Sequence, residues 1–324
     1  MRRAIAAAVL LAAAGAAIAL AGSGPSQSKW RALAPSPLAR TEVGAARVGF
    51  AIYVVGGFEE STGQSTNAVA RYDLNTETWK LVRPLPIAVN HSAVASDRRY
   101  MYVTGGYTEP RDFSRRTSAL FRYDPRSDRW KRLRHAPTQR AAHTMQAIGH
   151  KLYVVGGVDA SGATGRMEIY DTKRGRWSRA PAMPTRREHL ASAVASVPNR
   201  SRQRLYVLAG RTAEAGNLRT VESYDPEARR WRREPSMQKA RGGIAAAPVD
   251  ALHFAVFGGE EAAGTIAEVE LFDVGERRWS ALPDLPTPRH GLGGVDFRRQ
   301  IYAIEGGPQP GFAFSNAIEV LTVP

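Results

Sequence analysis

An apolar run ending in a glycine pair recurs six times along the 324 residues, and this repetition constrains the fold more than any other feature. The six copies are Ile52-Tyr53-Val54-Val55-Gly56-Gly57, Met101-Tyr102-Val103-Thr104-Gly105-Gly106, Leu152-Tyr153-Val154-Val155-Gly156-Gly157, Leu205-Tyr206-Val207-Leu208-Ala209-Gly210, Phe254-Ala255-Val256-Phe257-Gly258-Gly259 and Ile301-Tyr302-Ala303-Ile304-Glu305-Gly306-Gly307. Taken to the last glycine of each copy, the intervals are 49, 51, 53, 49 and 48 residues. A fixed period of this length marks a repeat architecture, in which no single unit buries its own apolar face and neighbouring units must stack.

Within each unit an aromatic–Asp pair follows the glycines: Tyr72-Asp73, Tyr123-Asp124, Tyr170-Asp171, Tyr224-Asp225 and Phe272-Asp273. Six residues beyond each aspartate stands a tryptophan, at 79, 130, 177, 231 and 279. The β-branched and aromatic runs read as strands, and the Asp-to-Trp intervals carry turn formers. Beyond residue 21 no stretch keeps a long helical period. Four short strands per unit in six units predict an all-β chain, a β-propeller.

The double glycine, Tyr-Asp and Trp at these separations resemble the Kelch repeat. The resemblance covers residues 30 to 322 and implies a six-bladed Kelch β-propeller. Its ends predict how the ring closes. Trp30 precedes Gly57 by 27 residues, the interval of Trp79 to Gly106 and Trp130 to Gly157, so residues 30 to 34 are expected to supply a fourth strand. Ala317 to Leu321 align with the Tyr-Asp strand, with no tryptophan after them. The N-terminal strand is thus expected to complete the last blade and leave no open edge.

Residues 1–21 read as a secretory signal: Arg2-Arg3, an apolar stretch from Ile5 to Leu20, and Ala19-Leu20-Ala21 as the cleavage pattern. Residues 22–29 then form a linker, and 30–324 a single propeller domain. The expected location is extracytoplasmic, periplasmic or secreted, with membrane attachment only if the signal stays uncut, and the chain is expected to be a monomer. With no cysteine, disulfides, thiolate metal sites and thiol nucleophiles are excluded. The 45 basic residues, 39 of them Arg, outnumber 30 acidic ones and give a net charge of +15, which suits an anionic partner. Arginines around the Trp strands, such as 129, 132, 134, 229, 230, 232 and 233, are expected to be solvated charges on edge strands. No nucleic acid is expected, because no helix is available to enter a groove and the address lies outside the cytoplasm.

In a propeller the turn entering each first strand shares a face with the loop after each glycine pair. Five units carry an arginine at that turn, namely Arg40, Arg140, Arg187, Arg241 and Arg289, while the sixth has Val89-Asn90-His91. His91, His143, His189 and His290 fall in the same region. Two roles suit these arginines: gripping a carboxylate or phosphate bidentately, or tying neighbouring blades together. The Kelch resemblance implies the first, with Arg40, His91, Arg140, Arg187, His189, Arg241, Arg289 and His290 facing an anionic sugar, peptide or protein partner at the channel mouth. The longest opposite connection, Val197 to Gln203, reads as a basic hairpin tip.

No local catalytic motif is present, and neither metal nor cofactor is expected. The Kelch enzyme galactose oxidase needs a Tyr–Cys cross-link, which a chain without Cys cannot form. A second resemblance is to the periplasmic N-acetylneuraminate mutarotase (epimerase) type of Kelch protein. That family pairs a Glu directly after a glycine with an Arg six residues on. Here Glu260 follows Gly259 but Thr265 and Ile266 occupy the arginine region; Arg219 sits in the similar Gly-Asn-Leu-Arg-Thr context, with Arg211 after the glycine and Glu214 as a substitute carboxylate. The principal expectation is a non-catalytic binding module. Sugar mutarotation through Glu260, Glu214 and Arg219 is the alternative.

Overall fold

In the computed structural model, described here for residues 29–109, 113–198 and 202–323, the chain is all-β. The signal and linker lie outside the described residues, as does the tip of the 197–203 hairpin. Among the described residues no helix is long and apolar enough to cross a membrane.

The strands assemble into antiparallel sheets of four, each a meander with a sequence unit behind it. The first holds Gly44–Val48, Ala51–Val55, Val69–Asp73 and Thr78–Val82. Five more follow, with innermost strands Ala93–Ser96, Thr144–Ile148, Ala191–Ser196, Gly242–Pro248 and Gly293–Phe297. In the last sheet the outermost strand is Trp30–Ala32, paired with Ile318–Thr322 in the register Trp30↔Leu321.

The recurring residues have recurring tasks. The aspartate ends the third strand and accepts backbone N–H groups of the following turn, as Asp73 Oδ1 does from Asn75 at 3.0 Å and Thr76 at 3.2 Å. The aromatic before it lies opposite the tryptophan: Tyr72 and Trp79 are cross-strand partners with ring centroids 4.9 Å apart, and Phe272 and Trp279 lie at 4.8 Å. Each indole then donates to a carbonyl of the neighbouring unit, Trp79 to Ala34 at 2.8 Å, Trp130 to Arg83 at 2.9 Å and Trp279 to Pro235 at 2.9 Å. Trp30 does the same to Pro283 at 2.8 Å and packs edge-on against Phe257.

One register differs from the sequence reading. In five units the second glycine donates its N–H to the backbone carbonyl at the arginine position of the next unit, as Gly57 does to Val89 and Gly259 to Arg289. In the last unit Gly306, not Gly307, makes this bond, to Arg40 at 2.8 Å. Glu305 therefore stands in the first glycine's place, at a positive φ of 55°. The glycines themselves are required by close approach: a Cβ on Gly57 would sit 2.5 Å from Thr41 O.

Candidate functional site

Two residues after the arginine position, every unit turns into its first strand through a left-handed residue: Glu42, His91, Ala142, His189, Gly243 and Gly291, with φ between 51° and 69°. The N–H groups of His91, Ala142, His189, Gly243 and Gly291 each donate to the carbonyl of the preceding member of this set, and Val43 N–H donates to Gly291 O, at 2.9 to 3.1 Å. This girdle of backbone bonds holds the six positions around one axis and aims their side chains at one another. Left-handed backbone strains a residue with a Cβ. Here it is what brings Glu42, His91 and His189 together.

The arginines of the preceding position do not face this mouth. Arg40, Arg140, Arg187, Arg241 and Arg289 are 0 to 1% exposed. Four pair with a glutamate of their own unit: Arg140–Glu168 at 2.5 Å, Arg187–Glu222 at 2.6 Å, Arg241–Glu270 at 2.8 Å and Arg289–Glu319 at 2.8 Å. Their remaining donors meet backbone carbonyls, such as Val207 O for Arg187 and Ala303 O for Arg289. Arg40 pairs instead with Glu305. The expectation that these five grip a ligand is corrected: their guanidiniums are spent inside the sheets, the tying role the sequence also allowed. The sequence carried a signal for it. Glutamate occupies the second position of the third strand wherever the arginine is matched within its unit, whereas the unit with Val89 has Phe121 there, both in one apolar cluster.

His91, His189 and His290 do converge, joined by Glu42, Glu188, Arg211 and Glu260. Glu42 lies 3.2 Å from His91 Nε2 and 3.3 Å from His290 Nδ1. His290 Nδ1 is also 3.7 Å from Glu260. Arg211 donates from Nε to Glu188 at 2.8 Å, from Nη1 to Glu260 at 2.9 Å, and from Nη2 to His189 Nε2 at 3.2 Å. The rings of His91 and His189 meet edge-on at 4.8 Å. Burial works against ionised Glu42, but the imidazoles of His91, His290 and His189 outweigh it and hold the carboxyl well below its usual range. Burial, with Arg211 adding to it, pushes His91 down. Burial and then His91 push His189 well down. Burial is more than offset for His290 by Glu42 and Glu260, so its pKa rises.

An aromatic wall stands over this floor. Phe58 packs against Phe312 at 5.1 Å and Phe113 at 6.1 Å, and Tyr107 meets Phe113 at 5.1 Å. Phe113 and Phe312 remain 37% and 47% exposed. Together wall and floor enclose an open cleft of about 520 Å³. Phe113 and Phe312 come from the long loops after the glycine pairs, the face the sequence pointed to, although the sequence did not single them out. Glu42, Glu188 and the aromatics were also missed, since only tertiary contact relates them. Of the sequence's candidate catalytic residues, Glu260 lines the cleft. Glu214 and Arg219 are exposed and do not line it. His143 lies deeper, in the channel.

Meanders of four strands repeated about one axis define a β-propeller. Comparisons with known proteins agree on the class. A family model for the Kelch-repeats domain of KLHDC2, KLHL20 and DRC7 matches residues 42–198, and the Kelch motif matches 201–238. The chain is a Kelch-repeat protein. Kelch-like protein 34 of Homo sapiens is 31% identical over 147 residues, 44% of this chain and 22% of that protein. Kelch-like protein terF of Aspergillus terreus is 31% identical over 153 residues, 43% of this chain and 31% of that one. Alpha-scruin of Limulus polyphemus is 30% identical over 135 residues, 40% of this chain and 14% of its own length. The chain thus matches less than a third of each of these relatives. The solved structure of YjhT superposes with a TM-score of 0.74 at 16% identity, covering 90% of this chain and 97% of that one, a likeness of fold alone.

Proposed function

We propose that the chain is an exported, monomeric six-bladed binding module, with a leader at 1–21, a linker at 22–29 and a propeller at 30–324, that takes a sugar ring in the mouth cleft. Export is supported by the sequence of the leader. Binding in general accords with the Kelch relatives. The observation that carries the reading is the aromatic wall set against a polar floor in one open cleft. A pyranose presents an apolar C–H face and a hydroxylated rim, and the wall of Phe58, Phe113 and Phe312 and the floor of Glu42, His91, Arg211 and Glu260 offer a surface for each. An acidic sugar is the poorer match: Glu42, Glu188 and Glu260 oppose its carboxylate, and Arg211 is already engaged by two of them.

Saturation-transfer NMR with glucose, galactose, N-acetylglucosamine and N-acetylneuraminate tests this. Saturable transfer to at least one neutral ring, lost in Phe113→Ala, is expected. Silence from all neutral rings sinks the reading.

A second reading, sugar mutarotation, has its own support. Glu260 and Arg211, each directly following a glycine of adjacent units, meet at 2.9 Å. The mutarotase resemblance calls for such a Glu–Arg pair, there within one loop. A carboxyl beside a cation and an imidazole, His290, can donate and accept the protons that ring opening needs. Anomer exchange followed by NMR separates the readings: acceleration by wild type and its loss in Glu260→Gln indicate catalysis, and an unchanged exchange rate indicates binding only.

A further inference from the structure

We propose that Glu42, His91 and His189 form a binding site for a first-row divalent metal ion such as Zn²⁺, with an open coordination position facing the cleft.

The three residues hold equivalent left-handed positions in the first, second and fourth units, and one ligand atom from each lies within 4.8 Å of the other two. Two neutral imidazoles and a carboxylate are a usual donor set for zinc, and three protein ligands leave a fourth position for water or substrate. Ligand atoms about 2 Å from one tetrahedral ion sit a little over 3 Å apart. Glu42 and His91 Nε2, at 3.2 Å, already stand at that separation.

The surroundings are arranged as outer ligands of a metal site are. A metal-bound imidazole commonly gives its other ring nitrogen to a fixed oxygen, which sets the tautomer and aims the free lone pair. His91 Nδ1 lies 2.5 Å from Asn90 Oδ1, and His189 Nδ1 lies against a Glu188 carboxylate oxygen. His91 Nε2 is thereby left to face Glu42, and Nε2 is the ring nitrogen that His189 keeps available. His189 Nε2 accepts from Arg211 Nη2, which the ion would displace while Arg211 keeps its bonds to Glu188 and Glu260. The two glycines of the girdle supply the room: a Cβ on Gly291 would lie 2.7 Å from the Glu42 carboxyl carbon.

Charge favours a dication. Three carboxylates, Glu42, Glu188 and Glu260, stand at the mouth around one guanidinium, Arg211, so the acidic groups outnumber the fixed cation. His290, 3.3 Å from Glu42, is the one further imidazole at the mouth, placed to hold the free carboxylate oxygen or to approach the open position.

The test uses the tag-free full chain, stripped with EDTA and without sugar, so its failure is independent of the sugar reading. Titration with Co²⁺ followed by visible absorption should saturate at one ion per chain, and Zn²⁺ should displace it. His91→Gln and His189→Gln should each weaken Co²⁺ binding at least tenfold, while His150→Gln, at an exposed histidine, should not. Should a variant fail to fold, imidazole ¹H–¹⁵N spectra of wild type decide: Zn²⁺ should shift Nε2 of both His91 and His189. Absence of saturable one-to-one binding, wild-type affinity in folded His91→Gln and His189→Gln, or unshifted Nε2 resonances would overturn the proposal.

Discussion

Glu305 accepts hydrogen bonds from Arg40 through both carboxylate oxygens, Oε2 from Nε at 2.8 Å and Oε1 from Nη2 at 2.9 Å, across 265 positions of sequence. Both side chains are fully buried, and Ser36 Oγ donates to the same carboxylate at 2.6 Å. The first unit has Ala70 where other units carry the arginine's partner, so the last unit provides the acid by giving up a glycine. A buried ion pair contributes little beyond what its desolvation costs, but a lone buried charge is severely destabilising.

Glu305→Gln is therefore expected to lower unfolding free energy by about 3 kcal/mol, because Arg40 keeps its charge and loses its counterion. Urea unfolding monitored by tryptophan fluorescence measures it. A change below about 1 kcal/mol would mean that the pair is not needed to hold the two ends together. Arg187→Ala and Arg289→Ala should show losses of the same order, through Glu222 and Glu319 left buried without a cation.

Deleting residues 29–36 should lower the melting temperature sharply. It removes the strand paired with Ile318–Thr322, the Trp30 indole bond to Pro283, and Ser36 from Glu305, and exposes a strand edge. Trp30→Ala alone should cost about 3 kcal/mol. An unaltered calorimetric transition in the deletion would show that the end strand closes nothing.

Phe113→Ala and Phe312→Ala should each weaken a bound neutral sugar about tenfold, roughly 1.4 kcal/mol, with little loss of stability because both rings are part-exposed. Titration calorimetry and melting curves on the same samples distinguish lost stacking from lost fold.

Stability should fall as the pH drops below about 6.5. His143 is buried, and burial, then the nearby Arg140, push its pKa well below the usual value, with a Thr104 backbone contact opposing them only in part. The unfolded chain binds a proton near pH 6.5 and the folded chain does not, so this group's contribution is present above that pH and lost toward the lower folded value. One such group gives a slope of at most about 1.4 kcal/mol per pH unit. His143→Leu should flatten the decline in unfolding free energy between about pH 6.5 and 5. An equal slope in the variant would assign the acid sensitivity elsewhere.

The repeat was legible because its bonds are local or recur at constant spacing. Tyr72 faces Trp79 across one hairpin, and Asp73 caps the turn between them, so residue type and interval carry the information. The glycine register failed in one unit for the same reason: Gly306-Gly307 looks like the pair, and only the bond from Gly306 to Arg40 shows that Glu305 holds the first position.

Sequence alone therefore determined the strands, their meanders and the face on which a site must lie, since a period of two along strands and of about fifty between units follows from backbone geometry. Tertiary structure decided which charges are free. An arginine at a strand entrance is equally suited to a ligand or to a buried carboxylate, and the choice rests on desolvation, which depends on what surrounds Arg40 or Arg289 in space. The same holds for Glu42, His91 and His189, drawn from three separate units. They become one site because a girdle of backbone bonds places their left-handed turns around a common axis.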